Sequence, residues 1–258
     1  MPFATNDGVR IRYEIDGSGP PLMLHIGFMG ALEDWADAGY VDALRNRYQL
    51  VLIDPRGQGR SDKPHDPAAY TDRHRIDDVL TVLDAEGIDR ATFWGYSLGG
   101  GVGFDLAAAA PHRLRALIVG GADPFRGYPR SDEGDPFLIG MRKGIQALVA
   151  EFEADDPEFW VSPGERERWL ASDAEALVAA RIQRLSEPDM TEETIAAIQT
   201  PTLIYVRSED QPASAERTAN FMPCATFAQL DGLDHAAGFC RIDQVLPIVE
   251  RFLASHPG

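Results

Sequence analysis

The sequence predicts an α/β protein: a mostly parallel sheet with helices on both faces and a helical insertion late in the chain. Three observations predict it. Short apolar runs alternate with segments of helical period, which is the strand–helix–strand rhythm of a parallel sheet. Several of those runs are apolar throughout, as strands covered on both faces are. Between residues 123 and 190 the rhythm stops, and charges and scattered aromatics take over: Phe125, Phe137, Phe152, Phe159, Trp160 and Trp169.

The elements follow in order. Residues 9–15 alternate apolar and polar side chains, as a half-buried strand does. A short turn at residues 16–19 sets that strand antiparallel to its neighbour. Residues 22–26 and 50–53 are buried strands. Residues 70–87 carry Ile76, Val79, Leu80 and Leu83 on one helical face, with Gly87 at the C-terminus. Residues 91–96 are strand-like, rich in Thr, Phe, Trp and Tyr. Residues 98–110 form a helix of small residues that Pro111 ends. Residues 114–119, 202–206 and 226–230 are further strands, and 242–254 close the chain as an amphipathic helix. Residues 1–122 and 191–258 therefore make the core, and 123–190 an insertion lying across the strand ends as a lid, where α/β sheets bind ligands.

Composition narrows the function classes. The chain has 258 residues, 44% of them hydrophobic and 25% charged, which is globular rather than disordered. This length suits one domain with an insertion, and its core needs neither a disulfide nor a structural metal. Cys224 and Cys240 form no disulfide framework and no CxxC site. With 24 basic against 41 acidic residues the net charge is -17, so phosphate is repelled. Nucleic acid and anionic membranes are thereby poor partners. The opening MPFATNDGVR has no basic or apolar leader pattern, and no apolar run nears the roughly 18 residues of a membrane span. A cytoplasmic location is the expectation; oligomeric state stays open.

Gly95-Tyr96-Ser97-Leu98-Gly99 is a GxSxG motif. With ten serines and 24 glycines in the chain, chance supplies roughly 0.09 such matches, and here a strand precedes and a helix follows, as a nucleophile elbow requires. A Cβ two positions to either side of Ser97 would strike backbone. At the helix N-terminus the Leu98 N–H is free to bind an oxyanion.

A serine hydroxyl needs a base and an orienting acid. His65, His74, His112 and His256 sit in loops, helices or the tail and read as surface. His235 lies in a loop between the last strand and the last helix. His25, at the end of a buried strand, is the competing base. Asp210 follows the strand at 202–206, so Ser97, Asp210 and His235 run in the order Ser…Asp…His. Asp123 also follows a strand and is the runner-up acid; Glu209 and Asp234 come third.

Two further segments carry a resemblance. Leu24-His25-Ile26-Gly27-Phe28-Met29-Gly30 resembles an HGF-x-G oxyanion loop, and Asp54-Pro55-Arg56-Gly57-Gln58-Gly59-Arg60-Ser61 resembles a D-x-R-G-H-G-x-S loop. With the GxSxG they make the chain similar to the α/β-hydrolase superfamily, in its small-cap esterase and lactonase group. The resemblance spans nearly the whole chain. It implies an eight-stranded sheet with one antiparallel strand, a helical cap after the sixth strand, and Phe28 as the second oxyanion N–H. It also marks two departures: Ile26 stands where the family usually has His, and Gln58 replaces another common His.

The expected chemistry is serine hydrolysis of a small ester or lactone through an acyl-enzyme, without metal or organic cofactor. Enol-lactone or diketone C–C hydrolysis, cofactor-free haloperoxidase or perhydrolase activity, and a ligand-sensing role on the same fold are the alternatives. Diketone hydrolysis would call on a cation such as Arg126, Arg130 or Arg142. Met29, Phe125, Phe137 and Trp160, beside Phe28, are the candidates for lining the substrate pocket. No cationic constellation surrounds Ser97 or His235, which disfavours a strongly anionic substrate.

Overall fold

The computed structural model describes residues 2–125, 134–155, 162–207, 212–231, 235 and 237–256. Its strands are β1 (Phe3–Asn6), β2 (Val9–Gly17), β3 (Pro21–His25), β4 (Gln49–Ile53), β5 (Ala91–Tyr96), β6 (Leu114–Gly120), β7 (Thr202–Arg207) and β8 (Ala225–Leu230). They form one sheet in the order β1-β2-β4-β3-β5-β6-β7-β8. Only β2 runs against the rest, pairing antiparallel with β1 on one side and β4 on the other. The antiparallel direction agrees with the sequence reading, but the hydrogen-bonded partner is β4 and not the consecutive β3. β3 instead lies between β4 and β5, parallel to both.

Alternation within the strands builds two cores. Leu22, Leu24, Leu50, Leu52, Trp94 and Tyr96 face one side; Met23, Val51, Ile53 and Phe93 face the other. The first side is covered by α1 (Glu33–Asp37), α2 (Tyr40–Leu44) and the later α11 (Ala237–Cys240) and α12 (Ile242–Ser255). There Trp35, Tyr40, Trp94 and Phe239 meet ring to ring, with centroids 5.0–5.6 Å apart. The second side is covered by α3 (Asp72–Ala85), α4 (Leu98–Ala109) and α10 (Pro212–Phe221). α3 begins at Asp72 because Thr71 caps it, its hydroxyl accepting the His74 N–H. The preceding residues Pro67–Tyr70 form a 3-10 turn. Gly87 ends α3 at φ +65°, a conformation that suits glycine after a helix.

Between β6 and β7 the chain is helical: α5 (Pro136–Lys143), α6 (Ile145–Asp155), α7 (Pro163–Leu170), α8 (Ala174–Ser186) and α9 (Glu192–Ala197). Four of these five start at a side-chain cap, Asp135, Ser162, Asp173 and Thr191 respectively for α5, α7, α8 and α9. Their apolar faces make a core of their own from Leu138, Met141, Leu148, Val149, Leu177 and Leu185. Met29, from the loop after β3, is buried in that same core, so the inserted helices are seated on this loop.

Candidate active site

β5 ends at Tyr96 and α4 begins at Leu98, so Ser97 alone carries the reversal. Its backbone stands at φ 54°, ψ -115°, strained for a residue with a Cβ. The Ser97 N–H is anchored on the Gly120 carbonyl at 2.8 Å. Glycine is required on both flanks by close approach. A Cβ on Gly95 would lie 2.1 Å from the Gly99 oxygen, and one on Gly99 would lie 2.2 Å from the His25 oxygen. Leu98 opens α4, so its N–H has no acceptor within the helix. The Phe28 N–H likewise makes no hydrogen bond among the described residues. Its neighbour Gly27 lies against Ser97, with room so tight that a Cβ there would sit 3.2 Å from the Ser97 Cβ.

His235 meets Ser97 from the other end of the chain. Its Nε2 lies 2.9 Å from the Ser97 Oγ. The Tyr96 hydroxyl donates to the His235 carbonyl at 2.7 Å, and the two rings lie 5.3 Å apart. Tyr96, the residue before Ser97, thus holds His235 in place. His25 does not compete. It is buried behind the oxyanion loop, with Nδ1 3.0 Å from the Ile26 carbonyl, and is not among the residues facing the Ser97 cavity. Burial lowers its pKa to about 4, which keeps it neutral. Asp123 turns toward α10: one carboxylate oxygen accepts the Phe125 N–H at 2.9 Å and the Thr218 hydroxyl at 3.1 Å. It makes no hydrogen bond to His235. Asp210, Glu209 and Asp234 lie outside the described residues, as do Trp160, Arg126 and Arg130.

The loop after β3 is held without the histidine that the family places at position 26. Ile26 is buried and fills the space beside Gly30. The Asp34 carboxylate accepts the Ala31 N–H at 2.8 Å, and the Asp54 carboxylate accepts the Leu32 N–H at 2.8 Å. Asp54 also accepts the Arg60 N–H at 2.8 Å, and Ser61 donates to its carbonyl at 2.7 Å. The second conserved-looking loop is therefore a brace for the first. Gln58 within it is buried, and its amide makes no hydrogen bond among the described residues.

Ser97 and His235 open into a cavity of about 260 Å³. Phe28, Met29 and Phe137, expected from the sequence, line it; Phe152, Trp169 and Phe239 complete its aromatic wall. Phe125 does not. It packs on the sheet core, with the Arg217 guanidinium 5.0 Å from its ring. Arg142 is exposed and is not a lining residue. Glu165, on α7, lines the cavity and was not singled out by the sequence. A glutamate among 41 acidic residues carries no distinguishing signal, although the spacing Ser162-Pro163-Gly164-Glu165 is that of a capping box.

The sequence profile of the alpha/beta hydrolase fold family matches residues 20–187. The chain belongs to the α/β-hydrolase family. Relatives of this α/β-hydrolase carry several hydrolytic names. A protein of Azorhizobium caulinodans provisionally named carbamate hydrolase RutD is 30% identical over 257 residues, 92% of each chain. The non-heme haloperoxidase of Rhodococcus erythropolis is 29% identical, over 94% of this chain and 95% of that one. Among solved structures, the enol-lactonase of Burkholderia xenovorans LB400 superposes with a TM-score of 0.84 at 26% identity, covering 98% of this chain and all of the other. The α/β-hydrolase described here is thus an enzyme with esterase- and lactonase-like relatives, and small molecules are what such relatives act on.

Proposed function

We propose that this enzyme is a serine hydrolase of small carboxylic esters or lactones, working through an acyl-enzyme on Ser97. The 2.9 Å approach of His235 Nε2 to Ser97 Oγ, at the base of an apolar cavity, carries the reading. Ser97 attacks the carbonyl carbon while His235 takes its proton. His235 then returns the proton to the leaving oxygen, and water repeats the sequence in reverse to free the acid. Asp210 is the acid that orients the imidazole, a role for which Asp123, bonded to α10, is poorly disposed. The backbone N–H groups of Phe28 and Leu98 receive the oxyanion, each contributing about 3–4 kcal/mol in comparable sites. Residues 123–190 serve as the cap that shields this chemistry from water.

The names of the relatives span carbamate, enol-lactone and haloperoxidase activities. Carbamates and lactones present the same acyl carbon to the same serine, so one constellation serves them all. Among the described residues no arginine or lysine lines the cavity. That speaks for an uncharged or cationic acyl substrate over the carboxylated diketones of C–C hydrolysis. The test is Ser97→Ala, assayed on short-chain p-nitrophenyl esters and by labelling with a fluorophosphonate. Turnover and labelling are both expected to vanish; retained labelling or near-full activity would overturn the nucleophile assignment.

A further inference from the structure

Aromatic and aliphatic side chains wall the cavity above Ser97, and among the described residues one carboxyl group interrupts that wall. Glu165 stands in the first turn of α7, two helical positions after Pro163. Its N–H donates to the Ser162 hydroxyl at 3.0 Å, and its carboxylate is reached in return by the Ser162 N–H. That is a capping box, which ordinarily places the glutamate in water. Here the helix is folded down on the site, and Glu165 lines the same cavity as Ser97, Phe152, Trp169 and His235.

Among the described residues the nearby cations are engaged with other carboxylates. α1, packed against α7, presents Asp34 and Asp37. Arg168, one turn along α7, binds both of them, with its Nε 2.8 Å from Asp34. Arg166 is paired with Glu153 of α6. At the base of the cavity stands His235, engaged with Ser97. Among the described residues no cation forms an ion pair with Glu165.

We propose that Glu165 determines substrate specificity by receiving a positively charged group of the substrate while Ser97 attacks its acyl carbon. The inference rests on the Ser97 reading and narrows it: the preferred ester, carbamate or lactone carries an ammonium. A cation entering the apolar cavity loses its hydration and meets a carboxylate that has no ion-pair partner among the described residues, so the attraction is stronger there than at a surface. Burial, reinforced by Asp34 and Asp37 and opposed by Arg168 and the Ser162 N–H, pushes the Glu165 carboxyl up to about 8. The preference for a cation is therefore weak at pH 6.5, where the free group holds its proton, and strong at pH 9.

The experiment uses matched p-nitrophenyl esters whose acyl chains end in trimethylammonium or in its neutral isostere tert-butyl, over a series of chain lengths. Neither end group titrates, and the ratio of their kcat/KM values cancels the ionisation of His235. For the wild-type enzyme the cation-over-neutral ratio is expected to rise about tenfold between pH 6.5 and 9, along a single titration. In Glu165→Gln, which keeps the reach of the capping box, the ratio is expected to stay flat and low. A ratio flat with pH in the wild type, or rising equally in the variant, would overturn the inference while normal turnover of the neutral ester upheld the Ser97 reading. Loss of neutral turnover together with loss of fluorophosphonate labelling would overturn both. The wild-type profile decides the matter even where the variant folds poorly.

Discussion

Tyr96→Phe isolates how the base is held. The substitution removes one oxygen and keeps the ring, whose neighbours Tyr205, His235 and Phe239 lie 5.3–6.4 Å away, centroid to centroid. The lost oxygen is the donor to the His235 carbonyl at 2.7 Å. His235 is exposed, so water replaces part of the bond and the net cost is about 1 kcal/mol. A loss of that size lowers the share of enzyme with its imidazole on Ser97 by several-fold, since about 1.4 kcal/mol is a factor of ten. Expected are a kcat reduced about 3–10-fold, a KM within about twofold, and a Tm lowered by roughly 2–4 °C. Fluorophosphonate labelling, which depends on the same serine–histidine pair, should slow in step. The control is Tyr205→Phe, which removes the acceptor of the Trp94 indole N–H at 3.0 Å in the same aromatic stack. It should lower Tm without touching kcat. An unchanged kcat in Tyr96→Phe, or an equal fall in Tyr205→Phe, would refute the claim that this hydroxyl positions the base.

Three further predictions use four substitutions. Gly95→Ala drives a Cβ to 2.1 Å from the Gly99 oxygen and should cost about 3 kcal/mol, read as a Tm loss of roughly 6–12 °C or as insoluble protein. Asp210→Asn should lower kcat by about 10³–10⁴ through the wrong imidazole tautomer, whereas Asp123→Asn should cost less than about tenfold; the reverse ranking would make Asp123 the triad acid. Glu165→Gln should change the pH dependence of stability. The carboxyl is raised from an ordinary 4.5 to about 8, so the folded chain keeps a proton that the unfolded chain has released. The contribution of Glu165 to wild-type stability therefore falls as pH rises from about 4.5 to about 8. The variant should match the wild type in Tm near pH 5 and be the more stable near pH 9, by about 2–4 kcal/mol of unfolding free energy; equal Tm values at both pH values would show a carboxyl of ordinary acidity.

What the sequence made legible was whatever leaves a short-range pattern. The buried runs of β3, β4, β5, β6 and β7 and the strand–Ser97–helix junction are local signals, and the structure places them as expected. β1 was missed because Phe3–Asn6 is a four-residue edge strand with one buried side chain, Ala4. The pairing of β2 with β4 was missed because partner choice depends on where β3 inserts, and no residue of β2 records that. Phe125 and Phe137 look alike as aromatics in one insertion. They part company because Phe125 is caught early by α10 and Arg217, while Phe137 opens α5 and faces Phe28 at 6.3 Å. Glu165 was illegible for a different reason: a capping glutamate is ordinary until tertiary packing turns its helix onto a cavity.

Ile26 stands where the resembled family usually has a histidine, and other groups hold the loop after β3. A histidine at that position supports the oxyanion loop from within by hydrogen bonding. The Ile26 side chain supplies no hydrogen bond and instead packs against Gly30, where a Cβ would lie 2.6 Å from its Cγ1. The polar support comes from Asp34 on the Ala31 N–H and Asp54 on the Leu32 N–H. Asp34 is not a passive brace, because its other oxygen accepts from Arg168 on α7. The loop carrying the Phe28 N–H and the helix carrying Glu165 are thus fastened to one buried carboxylate. Burial raises that carboxyl to about 6, against the pull of the Ala31 N–H and Arg168, so the fastening weakens in acid as Asp34 takes up a proton. Asp34 therefore ties the loop after β3 to α7, so a movement of the helix that carries Glu165 is transmitted to the loop beside Ser97.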